Sequence, residues 1–236
     1  MKNLIKFFIV IISLTITTKL FSQTLGVRIG LNLSNMYIAD ETQIYSKDFK
    51  INPGIHLGLT GNLPLNKIFS LETGLLFSKK GFISEDQEDY LGELAEIKGI
   101  TNLFYLDIPL NLKASFSIKA NKIYFLFGPY IGIGLFGESR YEIKQSGKTN
   151  TRTELVYWGS DPEYDDLKSY DFGLIIGTGI ELNSMQFGIN YGIGLSNISP
   201  YTADGITIQN KVFGMSVGYK FNSKSIKDLN HWKSKK

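Results

Sequence analysis

The 236-residue sequence contains no cysteine, six prolines and two histidines. Without thiols there is no disulfide framework, no thiolate metal site and no lipid-modified N-terminal cysteine. So few histidines leave little material for metal or nucleophilic chemistry, and neither Gly-x-Ser-x-Gly nor a paired-histidine zinc spacing occurs. Beyond residue 23 no apolar run approaches the about 20 residues that a membrane-spanning helix requires. A strong excess of one charge is also missing. Removing residues 1–23 takes Lys2, Lys6 and Lys19 from the 25 basic residues and leaves 22 against 22 acidic ones. That balance argues against a nucleic-acid partner. What is abundant is glycine (24), phenylalanine (16) and tyrosine (13), a mixture suited to strands and tight turns.

Residues 1–23 have the organisation of a cleaved signal peptide. Lys2 and Lys6 supply the positive start, residues 7–18 an apolar core too short to span a bilayer, and Ser22 a small residue before the expected cut. The expected domain organisation is a signal peptide over 1–23, a β-barrel over 24–221 and a basic tail over 222–236.

The rest of the chain alternates apolar and small or polar residues again and again. In residues 25–34, Leu25, Val27, Ile29, Leu31 and Leu33 alternate with Gly26, Arg28, Gly30, Asn32 and Ser34. Successive strand side chains point to opposite faces, so one face is oily and the other polar or bare. The same pattern recurs over residues 50–62, 68–80, 102–114, 122–136, 169–183, 185–196 and 210–221. These eight segments match the about 9–11 residues of a tilted membrane strand better than the about 5–6 typical of soluble sheets. Their connections alternate in length. Residues 63–67, 115–121 and 184 are short links, and 35–49, 81–101, 137–168 and 197–209 are long ones. Short turns at one end and long loops at the other are the pattern of an outer-membrane barrel. The expected fold is all-β: an eight-stranded antiparallel transmembrane β-barrel, its oily face turned to lipid and both termini in the periplasm.

Several stretches resemble the PorT-type outer-membrane β-barrel ("porin family") proteins of Bacteroidetes: ETGLLFSKKG at 72–81, YLDIPLNLK at 105–113, FGPYIGIGL at 127–135, DFGLIIGTGIEL at 171–182, YGIGLSNI at 191–198 and GYKF at 218–221. The resemblance implies a barrel placed by the barrel-insertion machinery. It also implies a link to a type IX secretion or gliding apparatus. The chain departs from that pattern in continuing past Phe221 with the basic tail.

The polar face carries charge: Arg28, Glu72, Asp107, Lys113, Asp171, Glu181 and Lys220. Inside a narrow lumen such charges form a salt-bridged filling or line a pore, because unpaired buried charges are costly. Tyr105, Tyr124 and Tyr130 share that face and would fill it. His56 lies there too, without a nucleophile motif. The third long loop is acidic and aromatic, and Tyr157, Trp158, Asp161, Tyr164 and Asp165 are its candidates for contact with a protein or glycan. Its GSDPEYDD run offers oxygen ligands, but not in EF-hand spacing. In the second long loop, Leu91, Leu94 and Ile97 fall at helical spacing and predict a short amphipathic helix. The basic tail reads as a solvated end or a periplasmic contact. The functional expectation is a non-enzymatic barrel with a structural or interaction role in the envelope, binding no cofactor, contacting outer-membrane lipid and an envelope protein. The alternatives are a small-solute pore and an assembly component of the type IX apparatus.

Overall fold

A computed structural model describes residues 24–90, 93–145 and 147–221. The expected signal peptide and basic tail lie outside the described residues, as does Leu91. Nine strands are present: β1 (Thr24–Ala39), β2 (Lys50–Pro64), β3 (Phe69–Tyr90), β4 (Glu93–Ile118), β5 (Asn121–Gln145), β6 (Lys148–Leu155), β7 (Tyr170–Leu182), β8 (Met185–Gly194) and β9 (Thr207–Phe221). They run in the order β4-β3-β2-β1-β9-β8-β7-β5, and a β4–β5 pairing closes the ring. All eight pairings of that ring are antiparallel. The seam joins the first and last strands, with Leu25 opposite Phe221 and Ala39 opposite Thr207. The eight-stranded barrel expected from alternation is therefore the fold.

The outer face is apolar along every strand of the ring. On β1, Leu25, Val27, Ile29 and Leu31 are 40–60% exposed, while Asn32 and Ser34 are buried. Turned to water, that face would forfeit roughly 25 cal/mol for each Å² of apolar surface; turned to lipid, it forfeits nothing. Aromatic residues mark the two ends of the band. Phe104 stacks on Phe77 and Phe136 with ring centroids 5.7 and 4.4 Å apart. Phe116–Phe125 and Tyr219–Phe221 pair edge-on near the short turns. Along β5, Phe125 and Phe136 are separated by a tilted rise of roughly 25 Å, the height of an outer-membrane apolar belt.

Two sequence expectations are corrected. The described residues of 81–101 form no helix: β3 runs for 22 residues and β4 for 26, and they pair out to Tyr90↔Glu93. In a strand, residues three apart fall on opposite faces. Leu94 accordingly points outward and Ile97 inward, and no apolar stripe forms for a helix to bury. Nor is the span 137–168 a loop throughout. β5 continues to Gln145, and β6 folds back on it in register from Glu138↔Leu155 to Gln145↔Lys148. β6 stands outside the ring.

Two ladders of the ring shift register toward the loop end, β2–β3 between Ile51 and His56 and β4–β5 at a bulge that re-aims side chains. Between β4 and β5, Phe104 faces Phe136 while Tyr105 faces Gly134, so Leu135 is the extra residue. Leu135 and Phe136 consequently both point outward, and Gly137 resumes the inner face.

Candidate functional site: the filled lumen

Read from the short-turn end, the lumen begins with a ladder of charges. Arg28 on β1 donates to Glu72 on β3 at 2.6 Å. Lys113 on β4 reaches the other oxygen of Glu72 at 2.9 Å and Glu181 on β7 at 2.7 Å. Lys220 on β9 completes the ladder, 2.5 Å from Glu181. The Lys113 ammonium also lies 4.1 Å from the centre of the Tyr124 ring. Gln186, with its amide oxygen turned toward the cations, accepts from Lys113 at 3.1 Å, Arg28 at 3.2 Å and the Tyr124 hydroxyl at 3.0 Å. The carboxylates thus take charge-assisted bonds from several strands, as deep burial demands.

A second cluster lies toward the loop end. The Lys80 ammonium is 2.8 Å from Asp107 and 3.4 Å from Asp171. It sits over the rings of Tyr105 and Tyr130, 4.4 and 4.8 Å from their centres. Asp171 further accepts from the Tyr130 hydroxyl at 2.9 Å and from the Asn210 amide at 3.0 Å. The structure thus divides the seven expected charges between two clusters, and Lys80 joins them. Together, four cations face four carboxylates. Lys80 was readable by parity, since it follows Glu72, Gly74 and Ser78 on the even, inward side of β3.

Between the clusters is a cavity of about 70 Å³. Its apolar side is Leu76, Leu126, Ile175 and Val212; its polar side includes Asn32, His56 and Ser78. His56 Nδ1 meets the Asn32 amide oxygen at 2.7 Å. Its ring fits because position 30, on the neighbouring strand, is glycine: a Cβ there would collide with the imidazole and with the Met215 carbonyl.

Above the second cluster an apolar cap closes the barrel. Met36, Leu103, Tyr105, Leu167 and Ile198 form its buried core, with Ile38, Phe82, Val156, Trp158 and Ile208 packed against it. Of the loop contact candidates, Trp158 belongs to this cap. Its ring meets Tyr105 edge-on at 5.3 Å and lies flat over Gly134, where a side chain would overlap it. Tyr157 and Tyr164 remain outside, 60% and 75% exposed. Asp161 and Asp165 turn to their own loop: Asp165 accepts the Asp161 N–H at 2.8 Å, and Asp161 accepts the Glu163 N–H at 3.0 Å. Among the described residues no group of three or more His, Asp or Glu side chains is placed to hold a metal ion.

An apolar outer belt, aromatic ends and a closed ring of eight strands define a small membrane-spanning β-barrel protein. The chain belongs to the outer membrane protein beta-barrel domain family, which matches residues 21–199. It is an outer-membrane protein. No curated protein matches the sequence. Among solved structures it is similar to Ail, the attachment invasion locus protein of Yersinia pestis, at 13% identity and a TM-score of 0.36, covering 84% of this chain and 98% of that one. It is also similar to Neisserial surface protein A, at 9% identity and a TM-score of 0.37, covering 84% and 97%. For OprG from Pseudomonas aeruginosa the identity is 16%, the TM-score 0.33 and the coverage 85% and 96%.

Proposed function

We propose that this chain is a closed, non-enzymatic barrel that serves as a contact protein of the outer membrane, with both termini in the periplasm and its long hairpins at the cell surface. One observation carries the reading: the lumen is filled in successive layers. The salt-bridged ladder, the side chains around the 70 Å³ cavity, the Lys80 cluster and the Trp158 cap are stacked one above another across the lumen. Against hydrolysis stands the environment of His56: its Nδ1 pairs with the Asn32 amide, and although Ser78 lies opposite it on β3, no hydrogen bond joins His56 to a serine or a carboxylate among the described residues.

The orientation is supported by the hairpins. The described ends of β1 and β9 share the short-turn end, where the Lys220 N–H donates to the Ser184 carbonyl at 2.8 Å. The PorT-type stretches hold seven of the eight lumen charges, all but Arg28. That resemblance supports a place beside a secretion or gliding apparatus, and crosslinking in native envelopes tests it; recovery of no envelope protein counts against it. The closed-barrel reading is tested by reconstituting the purified chain in planar bilayers. A silent bilayer is expected, and steady conductance steps would overturn the proposal in favour of a pore.

A further inference from the structure

The β5–β6 hairpin stands clear of the membrane. β6 begins its pairing beyond the Phe136 girdle, with Leu155 opposite Glu138. From Phe136 to Gln145, β5 rises roughly 30 Å at about 3.3 Å per residue, before tilt. Every β6 residue except Glu154 is exposed, and β6 has a strand partner on one side only.

Antiparallel geometry decides which backbone groups of β6 are free. Hydrogen-bonded and non-hydrogen-bonded positions alternate along the pair. The Val156 N–H donates to the Gly137 carbonyl at 2.9 Å, in the same register as Gln145↔Lys148. The even residues Lys148, Asn150, Arg152 and Glu154 therefore bond β5. The odd residues Thr149, Thr151, Thr153 and Leu155 turn their N–H and C=O groups to the open edge.

Exposed edges are normally blunted by proline, by a bulge or by charge. The outer edge of β3 beyond its last β2 partner, Ile83, carries Glu85 and Asp86. β6 has no proline, glycine or bulge, and three of its four edge-pointing residues are threonine, a strong strand former. It is built to be paired.

Its charges select the partner. Take β6 against a second β6, antiparallel, with edge-pointing residues opposed. Centred on Asn150, Lys148 meets Arg152. Centred on Arg152, that guanidinium meets itself. Centred on Thr151, Lys148 faces Glu154 on both sides of the two-fold axis, and Thr149 faces Thr153. Centred on Thr153, Arg152 faces Glu154, but those two side chains already pair within the strand at 2.7 Å and the overlap shrinks to residues 151–155. The Thr151 register overlaps residues 148–154 and places its Lys148–Glu154 pairs at non-hydrogen-bonded positions, where side chains approach most closely. It forms about six backbone hydrogen bonds.

We propose that β6 is a self-complementary edge that joins two copies of this chain through antiparallel pairing centred on Thr151. Two barrels in one membrane present β6 in the same direction. Antiparallel pairing therefore joins barrels in facing membranes, and the contact is one between cells. The inference deepens the contact role proposed above and rests on it.

The test uses vesicles carrying the purified full-length chain, with light scattering as the readout. Wild-type vesicles cluster, and scattering rises severalfold over empty vesicles. Thr151→Pro removes an edge N–H without touching a β5 bond and abolishes clustering. Lys148→Glu and Glu154→Lys each fail to cluster alone, yet cluster when the two vesicle populations are mixed. A heat-modifiable gel shift verifies that each variant is folded. Dispersed wild-type vesicles carrying folded barrels overturn the proposal. So does clustering by either single-charge variant alone, or failure of the mixture to cluster. Conductance in planar bilayers would sink the closed-barrel reading without altering this result, so the two failures are distinguishable.

Discussion

Lys80 and Asp171 are 91 residues apart in the chain and 3.4 Å apart in the lumen. The same ammonium holds Asp107, so one cation neutralises two carboxylates that flank Gly132 of β5 from the strands on either side of it. Lys80→Met leaves both uncompensated. We expect a loss of about 3–5 kcal/mol, the cost of breaking a buried ion pair from one side. Urea unfolding in lipid vesicles, followed by the gel shift of the folded barrel, measures it. Adding Asp171→Asn recovers part of the loss, and a double variant as unstable as the sum of the singles would show that the two side chains do not interact.

The Trp158 cap depends on Gly134. Gly134→Val drives a branched side chain into the space of the indole ring. In a Trp232→Phe background Trp158 is the sole tryptophan, and its emission reports its surroundings. The expected outcome is a red shift toward the emission of an exposed indole, with the gel shift retained. An unchanged spectrum would show that the ring does not rest on Gly134.

The turn between β4 and β5 carries strain that can be relieved. Lys119 has φ 55°, a left-handed conformation that costs a side-chained residue about 1 kcal/mol. Asn183, in the next short turn, adopts the same φ with a residue suited to it. Lys119→Asn should stabilise the barrel by about 0.5–1 kcal/mol, seen as a higher urea midpoint with an unchanged slope.

Outside the membrane, Asp40 organises the β1–β2 loop. Its carboxylate accepts the Tyr45 hydroxyl at 2.5 Å, the Thr42 hydroxyl at 2.7 Å and the Gln43 N–H at 2.8 Å. The Tyr45 and Thr42 hydroxyl bonds, with the two backbone N–H bonds behind them, hold its pKa below the ordinary carboxylate value. A depressed folded-state pKa stabilises above the unfolded value and is lost as pH falls through the folded one. The loop should therefore keep its order through pH 4 and release only in stronger acid. Amide exchange at Thr42 and Gln43 tests this. Because Asp40 is exposed, the effect is confined to the loop, and loss of protection near pH 4 would refute it.

Much of the barrel was legible because every ring strand has one face on lipid and one in the lumen, so period-2 alternation recurs throughout. Inward charges such as Glu72 and Glu181 stood out against that rhythm. β6 did not, because Lys-Thr-Asn-Thr-Arg-Thr is polar on both faces and offers alternation nothing to detect. The bulge at Leu135 was equally hidden, since it exists only in register with β4. Trp158 in an acidic loop reads as exposed; that it folds inward depends on a glycine 24 residues earlier, Gly134 on β5.

The ladder of Arg28, Glu72, Lys113, Glu181 and Lys220 links β1, β3, β4, β7 and β9, strands from different sides of the ring. Mechanically these side chains are spokes. A hollow eight-stranded tube can flatten under the lateral pressure of lipid chains by shearing neighbouring strands. Here flattening would lengthen some spokes while compressing others, straining ion pairs whose inner members, Glu72 and Lys113, are buried from water. The cross-section is thereby held round from within, and the hairpins rising from its rim keep a constant angle to the membrane surface.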